Sequence, residues 1–307
     1  MAYHVPVLLK ESIDGLNIDP SGTYVDVTFG GGGHAWEIFQ QLTTGHLIVM
    51  DQDADARRNA AKFEADLQER SFTFIESNFR FLKKYLKFHG VGEIDGLLAD
   101  LGVSSHQFDS AGRGFSTRFD GPLDMRMNQR SGLSAKSWIN EAEEKDLIHA
   151  FSAYGEIKNA RTLAQRIVNA RAAGPLDTTD QLKQIALEIA PKNRELKYLA
   201  QLYQAIRIVI NEEMEALQNL LEQAAEVLRP TGRLVTIAYH SLEDRLVKNF
   251  MASGNFRGRQ EKDLFGNVIR PMDAVNRKVI IPGLDEINAN NRGRSAKMRI
   301  GQKRDGK

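Results

Sequence analysis

Thr23-Tyr24-Val25-Asp26-Val27-Thr28-Phe29-Gly30-Gly31-Gly32-Gly33-His34 governs the reading of this 307-residue chain. Its first seven residues are mostly β-branched or aromatic, the composition of a buried strand. Four glycines follow without interruption. After them His34-Ala35-Trp36-Glu37-Ile38-Phe39-Gln40-Gln41-Leu42 places Trp36, Phe39 and Leu42 near helical spacing. Strand, glycine turn and helix in immediate succession predict the first unit of an α/β sheet. Glycines let the backbone turn tightly and approach a ligand with no Cβ in the way. Each is also entropically costly, which makes four in a ligand-free turn an unattractive reading.

The alternation continues outward from that unit. His46-Leu47-Ile48-Val49-Met50-Asp51 is an apolar run ending on a carboxylate, followed by a polar helix over Ala54 to Leu67. Phe72-Thr73-Phe74-Ile75 reads as a third strand, Phe81 to Phe88 as a helix, and Ile94-Asp95-Gly96-Leu97-Leu98-Ala99-Asp100 as a fourth strand. Continuous apolar strands separated by helices indicate a mostly parallel sheet covered on both faces.

From about Asp109 to Ala200 strand patterns are absent. Arg113 to Met127, with Gly114, Gly121 and Pro122, reads as an irregular loop. Helices follow, and Asn140 with Glu143 and Thr178 with Gln181 have capping-box spacing. Leu202, Ile206, Val209, Leu217, Leu221 and Leu228 then mark one face of a long helix that stops at Arg229-Pro230-Thr231-Gly232. Arg233 to His240 resumes the sheet, and Ser241-Leu242-Glu243-Asp244 starts another helix. Lys278 to Ile281 and Ala296 to Ile300 are candidates to close the sheet. The expected organisation is a split α/β core, 1–108 with 201–307, interrupted between its fourth and fifth strands by a helical insert, 109–200.

The chain contains no cysteine, which excludes disulfides, thiolate zinc sites and a cysteine nucleophile. No apolar run approaches the ~20 residues that span a bilayer, and Met1 to Pro6 shows no targeting pattern, so a cytoplasmic protein without membrane contact is expected. The net charge of +1 hides an asymmetry: from Gly254 onward there are 13 Lys/Arg against 6 Asp/Glu. A basic end on a mildly acidic remainder suits contact with a polyanion, or forms a solvated tail.

The strand, glycine loop, helix and acidic Asp51 twenty-odd positions on form a nucleotide-binding pattern. Asp51 would accept two hydrogen bonds from a ribose diol. Gly30 to Ala35 also satisfies G-x-G-x-x-G/A, so an NAD-type Rossmann dehydrogenase is a competing reading of the loop. His34 points at a ligand or satisfies a local carbonyl. Asp100 ends a strand at the edge where open α/β sheets bind ligands, and either orients an amine or caps the next loop. Phe79 stacks on a purine or fills the core.

Several segments together resemble one family, the ribosomal RNA small-subunit methyltransferase H family of bacterial 16S rRNA cytosine-N4 methyltransferases. They are His4-Val5-Pro6-Val7-Leu8-Leu9, Thr28 to His34, Asp100-Leu101-Gly102-Val103-Ser104-Ser105, Arg113-Gly114-Phe115-Ser116, Asp120-Gly121-Pro122-Leu123-Asp124-Met125-Arg126-Met127, His240-Ser241-Leu242-Glu243-Asp244-Arg245 and Arg294-Ser295-Ala296-Lys297-Met298-Arg299-Ile300. The long blocks at Asp120–Met127 and His240–Arg245 are distinctive, and the order runs from residue 4 to about 300. Two positions depart from the pattern: Gly31 stands where a basic residue is frequent, and His106 where proline is common.

The resemblance implies a class I S-adenosylmethionine-dependent methyltransferase fold with a helical substrate-recognition insert. It implies S-adenosyl-L-methionine contacts from Gly32, Gly33, His34, Asp51, Phe79, Asp100 and Gln107, and no metal. S-adenosylmethionine has no pyrophosphate, so under this reading the glycine loop accommodates its methionine portion and sugar. The implied partner is 16S rRNA within the small ribosomal subunit, near the decoding centre, with a homodimer left open. Asp100 is the candidate to orient the target amine, with His240 a second candidate near the base. The basic C-terminal region with Arg113, Arg118 and Arg126 would contact phosphates. A non-catalytic ribosome-assembly factor that binds RNA is the remaining alternative.

Overall fold

Parallel pairing sets the architecture. In the computed structural model, which describes residues 6–130, 132–276 and 278–305, seven strands form one sheet. They are β1 (Thr23–Asp26), β2 (His46–Asp51), β3 (Ser71–Glu76), β4 (Ile94–Asp100), β5 (Leu228–Ala238), β6 (Met272–Ala274) and β7 (Lys297–Lys303), in the order β3-β2-β1-β4-β5-β7-β6. The first five run parallel, while β7 pairs antiparallel with both β5 and β6. The strand order reverses between β1 and β4, which opens a crevice at their carboxyl ends. His4 and Val5 of the N-terminal block lie outside the described residues.

The chain forms two compact units, one made of residues up to Gly102 together with those from Met214, the other of Val103–Glu213. Their boundaries fall at 102/103 and 213/214, against 108/109 and 200/201 in the sequence reading. The sheet unit carries helix α1 (Leu9–Leu16) ahead of β1, and α2 (Gly33–Gln41), α3 (Ala61–Glu64) and α4 (Leu82–Phe88) between its early strands. The helical unit holds α5 (Ser105–Asp109), α6 (Ala135–Glu141), α7 (Glu144–Ala153), α8 (Ala160–Ala173), α9 (Thr179–Leu187) and α10 (Glu195–Asn211). Then α11 (Glu213–Val227), α12 (Ser241–Ser253) and α13 (Leu284–Ala289) follow in chain order.

Four local expectations are corrected. The long helix expected through Leu202–Leu228 breaks at Glu212, whose left-handed backbone (φ 50°) ends α10. Arg207 fixes the break with a fork onto Glu213 (2.7 and 2.9 Å), and the Asn211 amide donates to Met125 O and Arg207 O. Asn140 is not an N-cap: it sits inside α6, where its amide bonds Lys136 O and both backbone groups of Leu176. The polar helix over 54–67 is a 3-10 run, Ala54–Ala60, continued by the single turn of α3. Of the two late segments, Ala296–Ile300 overlaps β7, but Lys278–Ile281 contributes only an isolated bridge, Ile280 to Met298; the edge is taken by β6. The Thr178–Gln181 capping box is present as expected.

Helices cover both faces of the sheet. Ala35, Ile38 and Phe39 of α2 bury against Leu47 and Val49 together with Leu8, Ile13 and Leu16 from the α1 segment. Leu217, Leu220, Leu221 and Ala224 of α11 pack with Leu97, Ala99 and Val247 on the opposite cluster. The helical unit has its own core around Phe151, Leu163, Ile167, Leu182, Leu202 and Ile206. Behind the glycine turn an aromatic cluster holds the loop in place. Phe63 is fully buried, stacked on Phe72 (centroids 4.7 Å apart, 13° between planes), with Trp36 and Phe39 meeting it edge-on at 5.2 and 5.4 Å. Phe63→Ala is expected to destabilise the sheet unit by about 3–5 kcal/mol, read as a lower urea midpoint. A loss under about 1 kcal/mol would mean that the cluster collapses around the gap.

Candidate active site

Three strand ends and one helix start meet at the crevice. Helix α2 begins directly after the glycines, its N-cap Gly32 offering no side-chain cap, so the first N–H groups of the helix face outward as donors. Gly32 has a left-handed backbone (φ 73°), and a Cβ there would lie 2.9 Å from the Phe29 ring; a Cβ on Gly33 would lie 2.3 Å from Pro6. Both positions therefore require glycine. At Gly31 a Cβ meets open space, so the departure from a basic residue there carries no strain.

Asp51 at the end of β2 fixes the loop from the side. Its Oδ2 accepts the Gly30 N–H at 2.7 Å and its Oδ1 the Asp53 N–H at 2.8 Å. Asn78 reaches across to Gln52 (2.8 Å), tying the end of β3 to the loop after β2. Half-buried Phe79 starts the 3-10 turn that follows, packed on one side against the sheet core.

At the reversal point, two acids, one buried and one partly exposed, are linked through one hydroxyl. Asp26, 1 % exposed, accepts the backbone N–H and hydroxyl of Thr28 (3.0 and 3.2 Å), while the Thr28 oxygen accepts the Asp100 N–H at 2.7 Å. Burial pushes the Asp26 carboxyl up to about 7 despite the Thr28 bonds. Burial likewise raises Asp100 to about 7, opposed by a 2.8 Å hydrogen bond that the Tyr239 hydroxyl donates to Oδ1 and reinforced by the charges of Asp26 and Glu243. Burial and the Asp100 charge drive the Tyr239 hydroxyl far above its ordinary range, so it stays a donor at any physiological pH.

His34 faces the other oxygen. Its Nε2 lies 3.0 Å from Val7 O, and because a carbonyl only accepts, Nε2 carries the proton. Burial holds the ring at about 4, against the effect of that bond, so the imidazole is neutral near pH 7 and Nδ1 bears a lone pair. Nδ1 is 3.8 Å from Asp100 Oδ2, beyond hydrogen-bond range. Two acceptors thus face each other with no donor between them, and Asp100 keeps 23 % side-chain exposure. The arrangement suits an incoming N–H group.

The structure therefore brings Gly32, Gly33, His34, Asp51, Phe79 and Asp100 to one edge of the sheet unit, whereas Gln107 belongs to the helical unit. Gln107 is buried, its Oε1 accepting the Ser104 N–H at 3.0 Å in the capping box that opens α5. His240, two residues past the end of β5, is the N-cap of α12. Its Nδ1 accepts the Glu243 N–H at 3.4 Å, and Glu243 Oε2 accepts the Tyr239 and His240 N–H groups. Arg113 is not a phosphate contact: it is 5 % exposed and donates to Arg126 O and Met127 O. Arg126 forks onto Asp124 (3.0 and 2.7 Å), which leaves Arg118 the exposed member of the three. Sequence reasoning missed Asp26, Thr28 and Tyr239. The available signal was an aspartate inside the apolar run Val25-Asp26-Val27, since carboxylates are rarely buried without a purpose.

A family model described as the MraW methylase family matches residues 1–304. The chain belongs to the MraW methylase family. It is 53% identical over 303 residues to a Bacteroides fragilis protein called ribosomal RNA small subunit methyltransferase H, covering 98% of each chain. Proteins of the same name from Flavobacterium johnsoniae and Cytophaga hutchinsonii are 53% identical over 304 and 301 residues, covering 99% and 98% of this chain and 98% and 99% of theirs. The sheet is that of the class I S-adenosylmethionine-dependent methyltransferases, and this family member is an enzyme of that class; the dehydrogenase reading of the glycine loop is set aside. None of the described helices is long and apolar enough to cross a membrane.

The residues fit S-adenosylmethionine: an uncapped helix start for a carboxylate, a fixed aspartate at the end of β2 for a diol, and open space over Gly31. Asp51→Ala should weaken its binding about tenfold or more by calorimetry, whereas Gly31→Ala should change it less than twofold. Parental affinity in the Asp51 variant would remove that residue from the site.

Asp100 also carries a stability signature. Its folded pKa lies above its unfolded value of 3.8. Stability is therefore fully present below about pH 4 and declines as pH rises towards about 7. Asp100→Asn removes that decline: its melting temperature should approach the parent's at pH 4 and exceed it at pH 8. A constant difference across this range would contradict the buried-acid account.

Proposed function

We propose that this methylase transfers the methyl group of S-adenosylmethionine to the exocyclic N4 amine of a cytidine in 16S rRNA of the small ribosomal subunit, near the decoding centre. Family membership over residues 1–304 supports the reaction class, and the shared name of the relatives supports ribosomal RNA as substrate. The observation that carries the chemistry is the Asp100 carboxylate, gripped at Oδ1 by Tyr239 and open at Oδ2.

When bound, S-adenosylmethionine supplies an already activated sulfonium methyl. The backbone N–H groups of Gly33 and His34 would hold its carboxylate, Asp51 would take the ribose hydroxyls and Phe79 would lie against the adenine. The cytosine amine is a weak nucleophile because its lone pair is delocalised into the ring. Asp100 Oδ2 accepts one of its N–H protons, which localises the lone pair on nitrogen and aims it along the line of displacement. Most of the acceleration comes from this alignment. Burial places the Asp100 pKa near neutrality, where the carboxylate both accepts the hydrogen bond and can receive a proton as the methylated amine forms. The base leaves its stack to reach the crevice. The helical unit reads the shape of the surrounding folded RNA.

The deciding experiment is methyl transfer from labelled S-adenosylmethionine to small subunits lacking the modification, followed by nucleoside analysis. Label in N4-methylcytidine derivatives is the expected result. Asp100→Ala should lower turnover about a hundredfold at saturating donor. Label in another nucleoside would overturn the target atom, and full turnover in the Asp100 variant would overturn its role.

A further inference from the structure

Tyr239, whose hydroxyl grips Asp100, also forms one wall of a cavity of about 250 Å³ in the sheet unit. Facing it are Ile281, Pro282 and Ile287, with Arg294, Ser295 and Lys297 along the rim. The walls are held in place by the sheet. Ile280 exchanges backbone hydrogen bonds with Met298 (3.0 and 2.8 Å), which positions Ile281 and Pro282 beside β7. Asn290 caps the 3-10 turn that carries Arg294, and the Ala296 N–H closes on Gly293 O at 2.8 Å.

The lining has a definite chemistry. Pro282 is buried and Ile287 half-buried, yet Ile281, also in the lining, is a large apolar side chain 63 % exposed. The charged side chains of the lining are both clearly cationic, Arg294 and Lys297, and no carboxylate lines the cavity. Lys297 lies 3.6 Å from Asp244, but that carboxylate is already engaged by Arg299 at 2.7 Å. Arg294 is exposed and has no ion pair among the described residues. The cavity also meets the start of α12, where the helix dipole adds positive potential. An apolar slot with an aromatic wall and two cations at its rim is complementary to a planar base joined to a phosphate.

We infer that this cavity is a second nucleotide subsite, which holds the phosphate-bearing nucleotide next to the target cytidine. It rests on the RNA-methylation reading above and adds a contact made by the sheet unit itself. The neighbouring base lies between Tyr239 and the Ile281–Pro282 wall, and Arg294 and Lys297 hold its phosphate. Because Tyr239 bonds Asp100, the RNA chain is anchored one side chain away from the carboxylate that faces the amine. Anchoring there keeps the displaced base at the crevice after it has left its stack.

The test pairs a ligand titration with kinetics on the whole enzyme. With the donor site filled by S-adenosylhomocysteine, cytidine 5′-monophosphate should bind at least tenfold more tightly than cytidine, and Arg294→Ala should abolish the difference while Arg294→Lys keeps most of it. On small subunits, Arg294→Ala should raise KM about tenfold, the loss of one charge-assisted contact, without changing donor affinity. Lys87→Ala, which removes an exposed cation on α4, should leave KM at the parental value. Parental nucleotide affinity and KM in both Arg294→Ala and Lys297→Ala would overturn the proposal, as would inorganic phosphate binding as tightly as the nucleotide. Failure of the parent enzyme to methylate any RNA would instead strike the proposed function, and the titration would still decide the cavity.

Discussion

The Thr28 hydroxyl sits between two acids, donating to Asp26 and accepting from the Asp100 backbone, and this small chain of bonds joins β1 to β4 where the strand order reverses. Beyond that point β1 no longer follows regular ladder pairing. Val27 donates to Leu98 O and Phe29 to Met50 O, so the chain leaves the sheet between its two neighbours and enters the glycine turn centred over the crevice. Asp51 then takes the Gly30 N–H, and Asn59 donates to Gly30 O. The loop is held on three sides before any ligand arrives. Such preorganisation lowers the cost of ordering the site on binding.

Withdrawing the Asp26 and Asp100 carboxyls from water opposes folding, and the Thr28 and Tyr239 hydrogen bonds offset it only in part. Among the described residues neither acid has a cationic partner: His34 is neutral, and Tyr239 contributes a hydroxyl rather than a charge. The remaining sheet must supply the compensation, which it does through the aromatic cluster behind the turn and the helices on both faces. The benefit is chemical. A carboxyl whose pKa sits near neutrality exchanges a proton readily at physiological pH, and a hydroxyl that never ionises keeps one of its oxygens occupied. The two oxygens of Asp100 thereby acquire different tasks, one structural and one facing the crevice.

Residues that looked functional by type divide according to what surrounds them. Arg113 and Arg126 are basic residues in a distinctive motif, yet one closes a loop by bonding carbonyls and the other forks onto Asp124. His240, a candidate to stand near the target base, caps α12 through a reciprocal bond with Glu243. Arg294 and Lys297 belong to a family-like basic segment, and become a coherent pair because the β5–β7 pairing brings that segment beside Tyr239. Side-chain type sets what a residue is able to do; its partners set what it does.

The sequence by itself determined the order of strands β1 to β5, because each of those strands is a mostly apolar run and the glycine turn has no other economical explanation. It also determined the family, since long motifs such as Asp120–Met127 and His240–Arg245 recur as blocks. Only the tertiary structure revealed β6, whose three residues gain strand character solely by pairing with β7, and the break at Glu212, imposed by the Arg207–Glu213 fork. It alone assigned the protons. Tyr239 and Asp100 are 139 residues apart, and become partners because parallel pairing of β4 with β5 brings their ends together. Periodicity reports which face of an element is buried; it carries no information about which distant polar group waits there, and the acidity of a buried group depends on that neighbour.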